Sequence, residues 1–481
     1  MRRLASDAAI YGLGSVANQA LAVLLLPLYT RYLTPEEYGA YALLAAAGGL
    51  IALAAALGIH SGLGRIFFVY DGAEERGRVV FTAFAFALAA TAFSGGALFA
   101  AAPALNRALF GAADHVGWVR LAIAIFCLSA LNSVALMTLQ VHRRPRVYVA
   151  CSALGLLTSC AASIWLVVGL GRGVTGVLQG QLVGIAVQLA LATAACATSL
   201  RVGFHARALR EMLAFAAPLL PANLAAWGLG LADRSFLTQY ASLTDVGLYA
   251  LGYRFGAALE MLFVAPFTLA WFPYLYSIAQ QPDHRDVVAR VLEYYAFVGG
   301  GVVLALALFG GDVIRLIADP AFQDAERVIV WIGLAVLFRG MTFITMSGMN
   351  LTRRNPLSAV VYGLGVALNL ALLALLVPRH GMMGAAAATV VTYFAINLGF
   401  WRVSEHYYPI PFRPWKVAWL IGVLLAIHAA AQLVPPAPLP LSLALKTLLL
   451  AAFPAILLAS RFFAAADLAR ARELVRTLRA A

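Results

Sequence analysis

Charged residues are scarce in this chain. Asp, Glu, Lys and Arg make up 11% of its 481 residues, whereas hydrophobic residues make up 63%. An average soluble domain is about 25% charged and roughly 45–50% apolar. This composition excludes a soluble fold, because a domain of this length could not bury so much apolar surface. It also excludes disorder, which needs high charge and low hydrophobicity. We therefore predict an all-α integral membrane protein.

Lysine and cysteine are rare as well. Lys416 and Lys446 are the only lysines, which we attribute to coding bias. The four cysteines lie within apolar runs and lack metal-ligand spacing, so we predict neither a disulfide framework nor a metal site. The chain has no His-Glu-x-x-His motif and no long polar loop. We therefore predict no catalytic residue, which disfavours a lipid-linked sugar transferase or acyltransferase.

Long apolar runs fill most of the sequence. A helix needs ~20 mostly apolar residues to cross the hydrocarbon core, and by this rule the chain contains fourteen spans. Their approximate bounds are 8–29, 39–60, 79–102, 118–140, 147–169, 174–198, 212–239, 246–277, 289–311, 326–350, 357–377, 382–402, 415–434 and 441–463. The tail, residues 464–481, intersperses arginines with apolar side chains, which predicts an amphipathic helix on the cytoplasmic leaflet.

The distribution of basic residues predicts the orientation. With the N-terminus in the cytoplasm, 23 Lys and Arg fall on the cytoplasmic side, eight on the opposite side and three within spans. This bias predicts a multi-pass protein of the bacterial cytoplasmic (inner) membrane with both termini in the cytoplasm. The formal net charge of +13 then needs no nucleic-acid partner, because the basic residues are spread over many loops as topology anchors.

An internal repeat indicates the architecture. The runs Leu33–Leu43 and Leu243–Leu251 both contain Leu-Thr, an acid and Gly-x-Tyr-Ala-Leu, with their glycines 208 residues apart. At almost the same offset, Arg143-Arg144-Pro145 is matched by Arg353-Arg354-Asn355-Pro356. Two matches at one offset predict a duplication of six spans. Because six is even, both copies have the same orientation in the membrane.

The repeat predicts four regions. Residues 1–200 and 201–405 form two parallel six-helix bundles, residues 406–463 form two extra spans, and residues 464–481 form the cationic tail. Two duplicated bundles that face each other imply a central cavity, which is typical of transporters.

Further motifs resemble a known family. They are Gly12-Leu-Gly-Ser15, the run Pro27–Gly39, Ala217-Pro218-Leu-Leu-Pro221, Ala232-Asp233-Arg234-Ser-Phe-Leu237 and Val246-Gly-Leu-Tyr249. They are similar to motifs of Wzx-type polysaccharide flippases, members of the multidrug/oligosaccharidyl-lipid/polysaccharide exporter superfamily. The resemblance covers the whole chain and implies a MATE/MurJ-like fold. His60 departs from the family pattern, which leaves the role of the end of the second span open.

The resemblance also implies a function. Flippases of this family move an undecaprenyl-pyrophosphate-linked oligosaccharide from the cytoplasmic to the periplasmic leaflet, for O-antigen, capsule or exopolysaccharide assembly. The expected partners are therefore the polyprenyl-pyrophosphate-linked glycan and the lipid bilayer. The identity of the glycan, a partner polymerase and the oligomeric state stay open.

Charged residues within spans point to the site, because an ionised side chain at the bilayer centre costs about 2.5–3.5 kcal/mol. We place five there: Asp233, Arg234, Arg254, Glu260 and Arg339. Guanidinium groups bind phosphate oxygens bidentately. The predicted substrate-binding residues of a cationic cavity are therefore Arg31, Arg65, Arg234, Arg254 and Arg339. The alternative is a structural ion pair, such as Asp233 or Glu260 with Arg254.

Asp233 and Glu260 are the only acids that we place within spans. Each either balances the charge of an arginine or binds a driving ion, proton or sodium, and no other cofactor is expected. The absence of acids from spans 1–6 disfavours a MATE-like antiporter of cations and favours an anionic substrate. A lipid II flippase stays the nearest alternative.

Overall fold

The computed structural model describes residues 25–111, 113–217, 219–352, 354, 356–434, 438–460 and 462–463. All regular structure in these residues is helical, which confirms the predicted all-α class. The chain forms two compact units. The first contains the described residues up to Leu248 with Ile317–Ala321, and the second contains Tyr249–Leu316 and the described residues from Phe322 onward. The predicted bundle boundary between residues 200 and 201 stays a prediction.

The first unit contains ten helices and the start of an eleventh among its described residues. They are α1 Leu26–Tyr32, α2 Pro35–Ala56, α3 Ile59–Ile66, α4 Ala73–Ala100, α5 Ala102–Phe110, α6 Val116–Val141, α7 Pro145–Ile164, α8 Gly173–Cys196, α9 Ala206–Ala216 and α10 Leu219–Tyr240. A π-helical turn, Trp165–Gly169, extends α7, and a 3-10 turn, Ala197–Ser199, extends α8.

The second unit contains the remaining described helices. They are α11 Leu243–Leu259, which begins in the first unit, α12 Ala265–Ile278, α13 His284–Ile317, α14 Glu326–Thr345, α15 Ser347–Leu351, α16 Pro356–Tyr407, α17 Pro414–Gln432 and α18 Leu439–Ala459. A π-helical segment, Glu260–Val264, joins α11 to α12.

Ten helical segments of the described chain are long and apolar enough to cross a membrane. One of them, residues 357–407, is 51 residues long. Within it Gly381 has a non-helical backbone, with φ 51° and ψ −132°. This kink lies between the predicted spans 357–377 and 382–402. The predicted total of fourteen stays a prediction, and most of span 8–29, the Gly12–Ser15 motif and the tail 464–481 lie outside the described residues.

Two predicted spans are interrupted in the structure. Span 39–60 ends early, because α2 stops at Ala56 and both Leu57 and Gly58 have positive φ, 49° and 67°. His60 therefore belongs to the separate helix α3. Span 212–239 consists of α9 and α10, which are separate helices. Pro218, a residue of the family motif Ala217–Pro221, lies outside the described residues.

Small residues on α8 form a face that packs against α7. A Cβ on Gly180 would lie 2.2 Å from the Ser163 Oγ, and a Cβ on Gly184 would lie 2.7 Å from the Gly155 carbonyl oxygen. The backbones of α7 and α8 approach so closely that a side chain at either glycine would not fit. This is the small-residue packing by which membrane helices associate.

In both copies of the repeat, a hydroxyl residue caps the helix N-terminus and contacts an acid three residues later. At the start of α2 the Glu37 N–H donates to the Thr34 Oγ1 at 3.2 Å, and the Thr34 N–H donates to the Glu37 carboxylate at 3.0 Å. At the start of α11 the Asp245 N–H donates to the Ser242 Oγ at 3.0 Å, and that hydroxyl donates to the Asp245 carboxylate at 2.8 Å. The first is a full capping box, in which two residues satisfy orphan N–H groups of a helix N-terminus. In the second, which we also call a capping box for its N-cap hydroxyl, the acid accepts from the Ser242 hydroxyl instead of from the Ser242 N–H.

The capping boxes define the register of the repeat. Thr34 and Ser242 are 208 residues apart, which is also the separation of Gly39 and Gly247. Thr34 therefore corresponds to Ser242, and not to Thr244 as the shared Leu-Thr dipeptide suggests. A hydroxyl in N-cap geometry is the common feature.

Candidate functional site

The carboxylate of Glu260 and the guanidinium of Arg339 form an ion pair in the second unit. Glu260 is the first residue of the π-helical segment between α11 and α12, and Arg339 lies on α14. Their side chains are 33% and 40% exposed, so the pair is within reach of a ligand or an ion. The structure thus brings together two residues predicted from different spans.

The local geometry at Glu260 follows from a proline. Pro266 is the second residue of α12. It has no N–H to donate to the preceding turn, and its ring crowds the carbonyl four residues earlier. We attribute the widened π-helical turn Glu260–Val264 to this proline. Such single π-turns occur frequently at functional sites, and this one begins at the acid that pairs with Arg339.

Tyr295 of α13 is a neighbour of this ion pair that the sequence did not reveal. It is 3% exposed and close enough to Glu260 and Arg339 to interact electrostatically with both. Its ring packs against Phe263 and Phe267, with centroids 4.8 and 4.6 Å away. Its hydroxyl has no hydrogen-bond partner among the described residues. Its place beside the ion pair could not be predicted from the sequence, because a tyrosine within an apolar run shows no distinguishing pattern.

The burial of α14 explains why Arg339 needs a counter-charge. The helical segment that contains α14 is 83% buried over its most apolar window, the highest value among the ten candidate spans of the described chain. Arg339 is 40% exposed on this otherwise buried segment, so its charge is partly removed from solvent, and a neighbouring acid favours the charged form of such a group. Glu260 supplies the compensating charge across the helix interface.

The other predicted arginines occupy different places. Arg254 is exposed on α11, six residues before Glu260. Arg31 and Arg65 belong to the first unit, where each is exposed in the last turn of its helix. The guanidinium carbon of Arg65 lies 4.8 Å from the centroid of the Phe215 ring, a cation–π contact. Their common role in one cavity stays a prediction.

Asp233 and Arg234 are neighbours on α10 of the first unit. Asp233 is buried, with 5% exposure. The Arg234 side chain is half-buried, and its Nη1 donates to the Gly230 carbonyl oxygen at 2.6 Å, one turn earlier on the same helix. Of the two charged residues, Asp233 therefore lies in the protein interior and Arg234 lies partly in it.

A second ionic cluster lies in the second unit, around Glu293 of α13. Its carboxylate is 2.6 Å from the Lys416 Nζ and 3.5 Å from the Arg413 Nη1, and the side chains of Glu293 and Lys416 are 5% and 7% exposed. The expectation that Asp233 and Glu260 are the only acids within spans is wrong. Glu293 already falls within the predicted span 289–311, and α13, which begins at His284, places it nine residues after the start of the helix.

The second lysine pairs with the same helix. The Lys446 Nζ on α18 lies 2.5 Å from the Asp312 carboxylate on α13. Glu293 and Asp312 are 19 residues apart, which is about 28 Å along an α-helix and close to the ~30 Å of the hydrocarbon core. Each lysine therefore fixes one of the last two helices to one end of α13. Coding bias accounts for the scarcity of lysine but not for these positions.

Residues 28–325 match a family model described as Polysaccharide biosynthesis protein. The chain belongs to this family. The family member is also 24% identical over 140 residues to an uncharacterised membrane protein of Methanocaldococcus jannaschii, a match that covers 28% of this chain and 27% of that protein. The match thus spans about a quarter of the length of the curated relative.

Solved structures establish the fold of this family member. The lipid II flippase MurJ in an inward closed conformation is similar over 95% of this chain and 100% of that chain, with a TM-score of 0.73 and 13% identity. An inward-facing multidrug resistance MATE transporter is similar over 81% of this chain and 94% of that chain, with a TM-score of 0.65 and 15% identity. The expected MATE/MurJ-like fold is thereby confirmed.

A third solved structure has a similar fold. It is a MOP superfamily transporter from Pyrococcus furiosus, similar over 83% of this chain and 95% of that chain, with a TM-score of 0.56 and 16% identity. It is described as having a binding pocket of reversed polarity that suggests a different function. The family match agrees with the polysaccharide part of the resemblance, and the solved structures agree with the fold that it implies.

Proposed function

We propose that this protein translocates a polyprenyl-pyrophosphate-linked oligosaccharide from the cytoplasmic to the periplasmic leaflet of the bacterial inner membrane, for O-antigen, capsule or exopolysaccharide assembly. The family match over residues 28–325 carries the proposal. The similarity to a lipid II flippase over 95% of the chain supports it. A role in polysaccharide biosynthesis and a fold found in a flippase of a lipid-linked precursor converge on a lipid-linked glycan as the substrate.

The Glu260–Arg339 pair suits the pyrophosphate of such a substrate. Arginine binds phosphate oxygens through two parallel N–H groups. In the structure Arg339 is paired with the carboxylate of Glu260, so a pyrophosphate must compete with an internal anion. A proton taken up by Glu260 would remove that competitor and leave Arg339 to the substrate. In this proposal the protonation of Glu260 couples the ion gradient to transport. Arg31, Arg65, Arg234 and Arg254 supply further positive charge in this proposal.

A lipid II flippase is the second candidate, because the lipid II flippase MurJ is similar over nearly the whole chain. Both substrates carry a polyprenyl pyrophosphate, so the arginines serve either of them. The two candidates differ in the glycan, and a transport assay with both substrates separates them.

The test is a flipping assay with the purified full-length protein in liposomes. Fluorescent polyprenyl-pyrophosphate oligosaccharide and fluorescent lipid II are placed in separate vesicles under an imposed proton or sodium gradient. The labelled lipid that reaches the outer leaflet is measured by its accessibility to a membrane-impermeant quencher. We expect gradient-dependent flipping of the oligosaccharide substrate and its loss in the Arg339→Gln variant.

Arg327→Gln is the matched control. Arg327 also lies on α14, and its exposed side chain pairs with exposed Asp324 at 3.6 Å. The control should flip at the parental rate. Preferential flipping of lipid II would favour the second candidate, whereas flipping of neither substrate would contradict both.

A further inference from the structure

A cavity of about 350 Å³ opens in the first unit, where α4, α6 and α8 approach one another. The positive-inside bias predicts that these helix ends face the cytoplasm. The lining residues include Arg76, Arg201, His142, Thr198, Ser199 and Phe67. No carboxylate among the described residues lines it. The cavity therefore offers hydrogen-bond donors and positive charge to an anion.

Arg76 is held in place on one wall of the cavity. Its Nε donates to the Tyr70 carbonyl oxygen at 2.8 Å, and its guanidinium carbon lies 5.3 Å from the centroid of the Phe67 ring. Its nearest acid, Asp71, is 3.6 Å away and fully exposed, and an ion pair so exposed is weak. Burial raises the pKa of the Tyr70 phenol, which donates to the Glu211 carboxylate at 3.1 Å. Arg76 thus has a rigid support and spare donors.

Arg201 is held beside Arg76 by a glycine. Its main-chain N–H donates to the Gly77 carbonyl oxygen at 3.3 Å. A Cβ on Gly77 would lie 2.5 Å from the Arg201 Cγ. The aliphatic part of the Arg201 side chain therefore packs against α4 at a position where only glycine leaves room for it. Because Gly77 follows Arg76 directly, both arginines line one cavity, and the Arg201 Nη1 donates to the Leu200 carbonyl oxygen at 3.2 Å. Like charges are brought together only at an electrostatic cost, which an anion between them would offset.

His142 and two hydroxyl groups complete the lining. The His142 Nδ1 donates to the Thr138 carbonyl oxygen at 2.8 Å, which fixes the ring and places a proton on that nitrogen. Thr198 and Ser199 lie at the end of α8, in the 3-10 turn. Hydroxyl groups and arginines are the side chains that commonly hold phosphate oxygens.

We propose that this cavity binds a phosphate group, presented by an anionic membrane lipid or by soluble phosphate. A volume of about 350 Å³ falls within the range of roughly 300–1,000 Å³ that is typical of small-molecule sites. The site is separate from the Glu260–Arg339 pair, which belongs to the other unit. It therefore does not depend on which glycan the protein carries.

The test uses the full-length protein in detergent and two ligands in separate arms. Native mass spectrometry counts bound phosphatidylglycerol against a phosphatidylcholine background, and thermal unfolding measures stabilisation by inorganic phosphate against chloride at equal ionic strength. An arginine near an anionic headgroup contributes about a fivefold gain in binding. We expect the Arg76→Gln/Arg201→Gln variant to bind the responsive ligand about 25-fold more weakly.

Two further variants keep the test decisive. Arg78→Gln removes one charge two residues from Arg76, but Arg78 does not line the cavity and instead pairs with Glu74 at 2.6 Å, so binding should stay within about twofold of the parent. Ser199→Glu leaves both arginines in place and adds a carboxylate to the cavity, so it should displace the ligand without unfolding the protein. If the cavity variants lose phosphatidylglycerol binding, the ligand is a lipid. If they lose stabilisation by inorganic phosphate, the ligand is a soluble anion. Binding of neither ligand, or equal loss with Arg78→Gln, would overturn the proposal.

Discussion

Gly39 of α2 and Gly247 of α11 face each other in the first unit. A Cβ on Gly39 would lie 2.8 Å from the Gly247 nitrogen, and a Cβ on Gly247 would lie 3.1 Å from the Gly39 nitrogen. The two glycines occupy the same position in the two copies of the repeat, just after the capping boxes at Thr34 and Ser242. The contact is thus reciprocal, as in a two-fold interface between identical surfaces. The duplicated segment packs against its own copy.

A methyl group at either glycine should disrupt this crossing. A Cβ on Gly39 would lie 2.0 Å from the Leu243 carbonyl oxygen, and a Cβ on Gly247 would lie 1.9 Å from the Pro35 carbonyl oxygen. Backbone atoms cannot move aside as a flexible side chain can. We expect Gly39→Ala and Gly247→Ala each to destabilise the protein by about 1–3 kcal/mol, measured by thermal unfolding in detergent.

The control for this prediction is Gly96→Ala on α4. No atom lies within 4 Å of a Cβ at Gly96, so the substitution should leave the unfolding temperature unchanged or slightly raised. Equal stability of all three variants would contradict the close helix crossing.

Removal of Lys416 should be costly, because it leaves a buried acid. Glu293 and Lys416 are both nearly inaccessible, and breaking a buried ion pair from one side costs about 3–5 kcal/mol. We expect Lys416→Met to lower the thermal unfolding midpoint strongly and Glu293→Gln/Lys416→Met to restore most of it. Lys446→Met should cost less, because the Lys446–Asp312 pair is more exposed. If the double variant were no more stable than Lys416→Met, the ion pair would not be the source of the effect.

The roles of Asp233 and Glu260 should separate in vesicles. If an acid only balances an arginine, its amide variant leaves excess positive charge, and substrate binding persists or tightens. If the acid carries the driving ion, the amide variant abolishes gradient-driven flipping while binding survives. We expect the second result for Glu260→Gln and the first for Asp233→Asn, with binding and flipping measured on the same preparation. Unchanged gradient dependence in both variants would remove the two acids from the coupling mechanism.

The predicted orientation can be tested independently of transport. The excess of basic residues predicts that both termini lie in the cytoplasm. Fusions to a fluorescent protein, which folds in the cytoplasm, should be bright at either terminus, whereas alkaline phosphatase fusions, which need the periplasm, should be inactive. An active phosphatase at either terminus would contradict the orientation.

The apolar spans and the repeat could be predicted because they depend on local composition and on short motifs. The interruption at Leu57–Gly58 could not, since two consecutive positive φ values leave almost no trace in hydropathy. The small-residue face of α8 was predictable for the same reason as the spans, because its spacing lies along a single helix.

The ion pairs could be predicted only in part. Glu260 and Arg339 each stand out as charges within apolar runs, but their pairing depends on how α14 packs against the π-helical segment, 79 residues away in sequence. The burial of Lys416 beside Glu293 was missed for a different reason. Basic residues at span ends are counted as solvated anchors by the positive-inside rule, which carries no information about burial.

The two lysine pairs have a mechanical consequence. Because α17 and α18 are each joined to α13, at points about 28 Å apart along that helix, the three helices are expected to shift as one body during transport. A probe on exposed Trp419 of α17 or Leu448 of α18 would therefore report the displacement of α13 without any modification of that helix. The C-terminal helices, which the sequence predicts to lie outside the repeat, would thus provide accessible labelling positions for following the proposed transport cycle in real time.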